Sequence, residues 1–226
     1  MGRGTVVAVV VAATVGGWAT PTLPSSADVN PVPPDQLELA VRAATVELMT
    51  LGCDLGTRQG SAVALAGGSI VTNRHVVDVA RQTEVVPDLG PVLRGTTDVS
   101  TVGTDLAVVR VRDAGFRPLP LAPEDPHPGD QMTMAGFAAG SDGIVIRQAR
   151  VVDYADGAPR GQPVAVVRLD ARIGPGMSGG PVVDAAGRLA GIIFGTESPS
   201  DYALALPVSA VRALLAQSGS ARSESC

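Results

Sequence analysis

Gly174-Pro175-Gly176-Met177-Ser178-Gly179-Gly180-Pro181 sets one serine among four glycines, between two apolar runs. A reactive serine needs its hydroxyl pushed into a cleft. It also needs backbone N–H groups turned toward the carbonyl it attacks, and closely spaced glycines permit that approach. Upstream lie Thr72-Asn73-Arg74-His75-Val76-Val77 and Gly103-Thr104-Asp105-Leu106-Ala107-Val108-Val109. His75, Asp105 and Ser178 thus follow one another as a base, an orienting acid and a nucleophile would. Each motif alone is a weak signal. Three in one order are a strong one.

Around these motifs the chain is cut into short strand-like runs. Ser61–Leu65, a Gly67-Gly68 turn and Ser69–Thr72 form a hairpin pattern that delivers His75 just past a strand end. Thr83–Val86, Val92–Val99 and Leu106–Val111 continue the series. The segment 113–128 carries Pro118, Pro120, Pro123, Pro126 and Pro128, as an ordered linker between two lobes would. A second series runs through Gln131–Ala135, Gly143–Val152, Val164–Leu169, Gly180–Val183, Leu189–Gly195 and Asp201–Leu206. Leu37, Val41, Ala44 and Leu48 recur at helical spacing, which predicts a helix over Asp35–Leu51, and Val208–Ala216 reads as a closing helix. The expected fold is all-β: two six-stranded antiparallel barrels with a helix at each end. In segments, 1–27 is a signal peptide or anchor, 28–34 a linker, 35–112 the first helix and barrel, and 129–226 the second barrel with its helix.

The 226 residues suffice for one large core or two small ones. Aromatics are 3% of the chain, so Val, Leu, Ile and Ala must fill that core. Net charge is −5, and every one of the 17 basic residues is arginine, with no basic cluster. A phosphate-backbone footprint is therefore missing, and nucleic acid is not an expected partner. Two histidines and two distant cysteines make no zinc-ligand set, and a chain without lysine has no phosphate-loop lysine. No cofactor or metal is expected. His127, in Asp125-Pro126-His127-Pro128, reads as an exposed linker residue.

Arg3 precedes the apolar run Thr5–Val15, and small residues follow at Gly17/Ala19 and Ser25/Ala27. That is the pattern of a cleaved export signal, with an uncleaved N-terminal membrane anchor as the alternative. The expected location is secreted or cell-envelope, with membrane association through the N-terminal segment and a monomeric state. In an exported chain the even count of two cysteines, Cys53 and Cys226, predicts a disulfide. Closing so long a loop is worth ~4–5 kcal/mol in the chain-entropy account. A free C-terminal thiol or pairing between chains are the alternatives.

From Gly60 to Leu215 the chain resembles the trypsin/chymotrypsin-like serine proteases, in their bacterial HtrA-like branch. Gly60-Ser61-Ala62-Val63 resembles that family's opening strand, and Thr72–Val77 its motif around the catalytic histidine. Thr104–Val108 and Gly176–Pro181 resemble those around the aspartate and serine. Two departures are present. Met177 stands where the digestive enzymes have an aspartate that pairs with a newly cut N-terminus, and the chain has no room for a PDZ domain. This looks like the compact envelope proteases of actinobacteria.

The resemblance implies a serine endopeptidase acting on polypeptides through an acyl-enzyme. Its catalytic residues would be His75, Asp105 and Ser178, with an oxyanion hole from the N–H groups of Gly176 and Ser178. An inactive protease-like fold that binds peptides or acts as a scaffold is the alternative. The side-chain pocket would be lined by Arg172, Ile173, Gly174, Phe194, Gly195 and Thr196. Ile173 and Phe194 favour small or medium apolar residues, while Arg172 either lies at the pocket base or points to solvent.

Overall fold

Val46, Leu48 and Thr50 are buried in turn with more exposed neighbours, the period-two pattern of a strand packed on one face. The computed structural model describes residue 1 and residues 31–78, 80–100, 103–112, 115–155 and 161–217. It places this segment in strand β1 (Thr45–Gly52), after helix α1 (Pro34–Ala44). The helix expected over Asp35–Leu51 is therefore right only as far as Ala44. Leu37, Val41 and Ala44 form its buried face. At Thr45 and Val46 β-branched side chains favour extended backbone, and Thr45 Oγ1 donates to the Val41 carbonyl at 2.7 Å, which satisfies an end carbonyl of the helix.

The next strands are β2 (Thr57–Leu65), β3 (Ser69–Thr72), β4 (Ala80–Pro87), β5 (Leu93–Ser100) and β6 (Ala107–Val111). They close with β1 into a barrel in the order β1-β2-β3-β6-β5-β4. The second barrel joins β7 (Gln131–Phe137), β8 (Ile144–Ala155), β9 (Val166–Leu169), β10 (Pro181–Val183), β11 (Leu189–Thr196) and β12 (Ala203–Pro207). Its order is β10-β11-β12-β9-β8-β7, and all pairs in both barrels are antiparallel. Closure leaves neither sheet with an unpaired edge. The fold is the all-β, two-barrel architecture read from the strand spacing.

Each barrel has its own aliphatic centre, around Leu48, Ile70 and Val109 in the first and Met134, Leu169 and Ile193 in the second. A third cluster lies between them, where Val63 and Leu106 of the first barrel meet Phe137, Ile192 and Leu204 of the second. Helices α1 and α3 (Val208–Gln217) pack onto this seam through Val41 and Leu214. Strands of the seam are thus buried on both faces, and β2 is buried continuously from Gly60 to Leu65. Asp125 holds the start of α3, accepting from Ser209 N at 2.8 Å and Ser209 Oγ at 2.7 Å.

The expectation of membrane association is corrected. No described helix is long and apolar enough to cross a membrane. Helix α1 has 11 residues, about 16 Å of rise against roughly 30 Å of hydrocarbon, and it carries Asp35, Glu38 and Arg42. Of the expected signal segment over 1–27, residues 2–27 lie outside the described residues, as does Cys226.

Candidate active site

Strand β3 ends at Thr72, and the chain turns through Asn73 into a single helical turn, α2 (Arg74–Val77), that carries His75. Val76 and Val77 are buried beneath it, which leaves His75 half-exposed at the barrel rim. Asp105, in the loop before β6, grips this turn twice. Its Oδ2 lies 2.6 Å from His75 Nδ1, and its Oδ1 accepts the His75 backbone N–H at 2.9 Å. A carboxylate accepts, so Nδ1 carries the proton and Nε2 is the basic nitrogen. Asp105 is itself held. Asn73 Nδ2 donates to its carbonyl at 2.9 Å, and its N–H donates to Gln162 Oε1 at 2.9 Å. Asn73 stands inside a motif already singled out. Gln162 was not legible, because it belongs to the other barrel and no local pattern marks it.

The nucleophile loop comes from the second barrel. Met177 N–H donates to the Gly174 carbonyl at 3.3 Å, with Pro175 and Gly176 (φ +89°) at the two central positions. This is a type II turn, with proline and glycine where that turn wants them. The Pro175 carbonyl accepts from Ala139 N–H at 2.8 Å. In a trans peptide the N–H points opposite to the C=O, so Gly176 N–H is directed away from the Ala139 loop. Among the described residues the N–H groups of Gly176 and Ser178 have no hydrogen-bond partner. Met177, which could hold no charge, is buried in the second barrel's core and anchors the turn by packing.

Gly179 (φ +90°) seats the loop against the first barrel. A Cβ there would lie 1.9 Å from the Ser61 carbonyl and 2.4 Å from Thr72 Oγ1, so no side chain fits. Thr72 is three residues upstream of His75, and the Ser178 carbonyl accepts from Ser61 N–H at 2.7 Å. The structure thus brings the serine loop to the rim that carries His75 and Asp105. Among the described residues Ser178 is part-exposed and its Oγ makes no hydrogen bond, to His75 included.

A cleft of about 420 Å³ opens beside the His75–Asp105 pair, lined also by Arg74, Asp78, Gln162 and Phe194. Of the expected pocket residues only Phe194 lines it. The β11–β12 register shifts between Ile193 and Gly195, a bulge that leaves Phe194 outside the ladder. Ile173 packs half-buried against the second barrel's core, and Gly174 approaches Ala138. Gly195 and Thr196 are partly buried at the end of β11. Arg172 is 82% exposed and paired with Asp201 at 2.9 Å, pointing to solvent. His127 is exposed, as expected, and its N–H donates to Asp130 Oδ2 at 2.7 Å. No described cysteine is a free thiol.

The family of trypsin-like peptidase domains matches residues 60–192, more than half of the chain. The chain belongs to the trypsin-like peptidases. Within this family it is similar to proteases of the HtrA type. Protease Do-like 1, chloroplastic, of Arabidopsis thaliana is 34% identical over 177 residues, 72% of this chain and 38% of that protein. An HtrA-type protease solved with a tripeptide, AlgW carrying S227A, superposes with a TM-score of 0.74 at 26% identity. That match covers 82% of this peptidase and 63% of AlgW. The active form of the Rv3671c protease from M. tuberculosis has the same fold, with a TM-score of 0.75 at 21% identity. It covers 94% of this chain and 97% of that one. This peptidase spans about a third of the length of the curated relatives it matches.

Proposed function

We propose that this trypsin-like peptidase hydrolyses peptide bonds with Ser178, His75 and Asp105. The observation that carries the reading is the pairing of two features at one rim. Asp105 fixes His75 by both its ring and its backbone, and the serine loop beside it presents two unpaired N–H groups. Ser178 Oγ attacks the scissile carbonyl while His75 Nε2 takes its proton. His75 returns that proton to the leaving amine, which leaves an acyl group on Ser178. Water, deprotonated by His75, then attacks the ester, and His75 returns that proton to Ser178 Oγ as the acid leaves. Gly176 and Ser178 N–H hold the oxyanion in both halves, each donor being worth about 3 kcal/mol.

Asp105 stays ionised throughout and stabilises the imidazolium that forms. No N-terminal amine is needed, since Met177 orders the turn by burial rather than by an ion pair. Purified protein should cleave an unfolded protein such as casein, and Ser178→Ala should abolish cleavage without lowering the melting temperature. Intact substrate after incubation with the wild type would overturn the reading.

Two further parts of the proposal follow from the sequence. Small or medium apolar residues at the cleavage position suit the apolar surface of Phe194, the one expected pocket residue that lines the cleft. Cleavage-site profiling on a peptide library tests this, and a charged preference would contradict it. Export to the cell envelope or medium, with Cys53 joined to Cys226, suits the signal-like start and the paired cysteine count. Non-reducing peptide mapping that finds both thiols free in exported protein would contradict the bridge.

A further inference from the structure

Ser61, in β2 of the first barrel, is fully buried and makes four hydrogen bonds. Its hydroxyl donates to the Gly176 carbonyl at 2.8 Å and accepts from the Phe137 backbone N–H at 2.8 Å. Its N–H donates to the Ser178 carbonyl at 2.7 Å. Its carbonyl accepts from Thr72 Oγ1 at 2.7 Å. One residue of the first barrel is therefore bonded on both sides of Met177 in the serine loop, and also to β7 and to the strand that leads to His75.

We propose that Ser61 is a positioning residue for the oxyanion site, acting through the Gly176 backbone. This rests on the reading of Ser178 as nucleophile. Gly176 lacks a Cβ and sits at φ +89°, so its own torsions resist rotation weakly. Its N–H lies in the first of the two peptide planes that meet at its Cα, and the second plane, once fixed, keeps the first from swinging about that Cα. Ala139 N–H holds the carbonyl of the first, and Ser61 Oγ holds the carbonyl of the second. With both planes pinned, the N–H keeps one direction, away from the Ala139 loop, before any peptide arrives. A preorganised donor costs no rearrangement as charge develops on the oxygen. Phe137 N–H orients the hydroxyl: a hydroxyl oxygen that already accepts there presents its hydrogen toward the Gly176 carbonyl.

The test is Ser61→Ala beside Ser61→Cys, which keeps the shape with a weaker donor. Three quantities separate positioning from mere support of the fold. These are kcat and KM on a cleaved peptide, the inhibition constant of a peptide boronate, and the dissociation constant of a product peptide. The boronate adduct on Ser178 places an oxygen in the oxyanion site, whereas the product peptide probes ground-state binding. For Ser61→Ala, kcat should fall about 10- to 100-fold with KM within about twofold, since only the transition state uses the donor. Boronate affinity should fall by the same factor, product-peptide affinity should hold, and Ser61→Cys should lie between. A kcat within about twofold of wild type, or boronate and product peptide weakening together, would overturn the role. Should Ser61→Ala fail to fold, Ser61→Cys carries the same comparison. A wild type that neither cleaves nor binds boronate overturns the underlying reading of Ser178 instead.

Discussion

At the scale of single residues, Asp105 shows how much one carboxylate does. It sets the His75 tautomer and pins the backbone of α2, and in the proposed mechanism it would balance the charge that forms on the ring. Asp105→Asn would keep the shape and lose these functions, because an amide can donate to Nδ1 and stabilise the wrong tautomer. We predict a fall in kcat on the order of 10⁴ with little change in thermal stability, read from steady-state kinetics and a melting curve. A loss below tenfold would remove Asp105 from the mechanism. The three residues of the candidate triad were legible because each sits in a short motif whose neighbours are bound to it. His75 lies two residues after Asn73, and Ser178 lies between glycines that only a close approach explains. Ser61, Ala139 and Gln162 were not legible as parts of the site. Their contacts run from one loop or barrel to another, two of the three through backbone groups that every residue carries.

At the scale of elements, the seam helices show where pattern and packing diverge. Leu37, Val41, Ala44 and Leu48 fit a helical period, but Val46, Leu48 and Thr50 equally fit a strand. The first barrel resolves the ambiguity, because β1 pairs with both β2 and β4 and closes the sheet. No local propensity carries that information. The other eleven strands were legible in place, since glycine turns and prolines bound most of the apolar runs. Leu214 of α3, almost wholly buried in the seam, is the element's test. Leu214→Ala should cost about 2–4 kcal/mol of unfolding free energy, measured by urea titration. A cost below about 1 kcal/mol would mean that α3 is not part of the cooperative fold.

At the scale of the whole molecule, the proposed function requires both barrels at once. The first supplies His75, Asp105 and Ser61, and the second supplies Ser178, Gln162 and Phe194. Their docking is largely apolar, with buried Ser61 as a polar tie between them. Within the second half, the Tyr154 hydroxyl donates to the Pro126 carbonyl at 2.6 Å. Burial, with help from Asp125 and Asp130, pushes this phenol well above its ordinary value of 10.0. The folded state therefore favours the protonated phenol more than the unfolded chain does. This contribution is complete below the unfolded value and is lost as pH rises through the folded one. Urea stability should accordingly decline above about pH 10, and Tyr154→Phe should flatten that decline. An identical alkaline slope in the variant would contradict the assignment.

The claim on which all of this depends is that the unliganded chain already holds a competent nucleophile beside its base and its oxyanion donors. A fluorophosphonate tests it in one step, because phosphonylation needs an activated serine and a formed oxyanion site but no particular substrate sequence. The account predicts stoichiometric labelling of the purified wild type, mapped by mass spectrometry to the peptide containing Ser178. It predicts no labelling of Ser178→Ala and strongly slowed labelling of Asp105→Asn. A wild type that stays unlabelled, or a label on any serine other than Ser178, would contradict it.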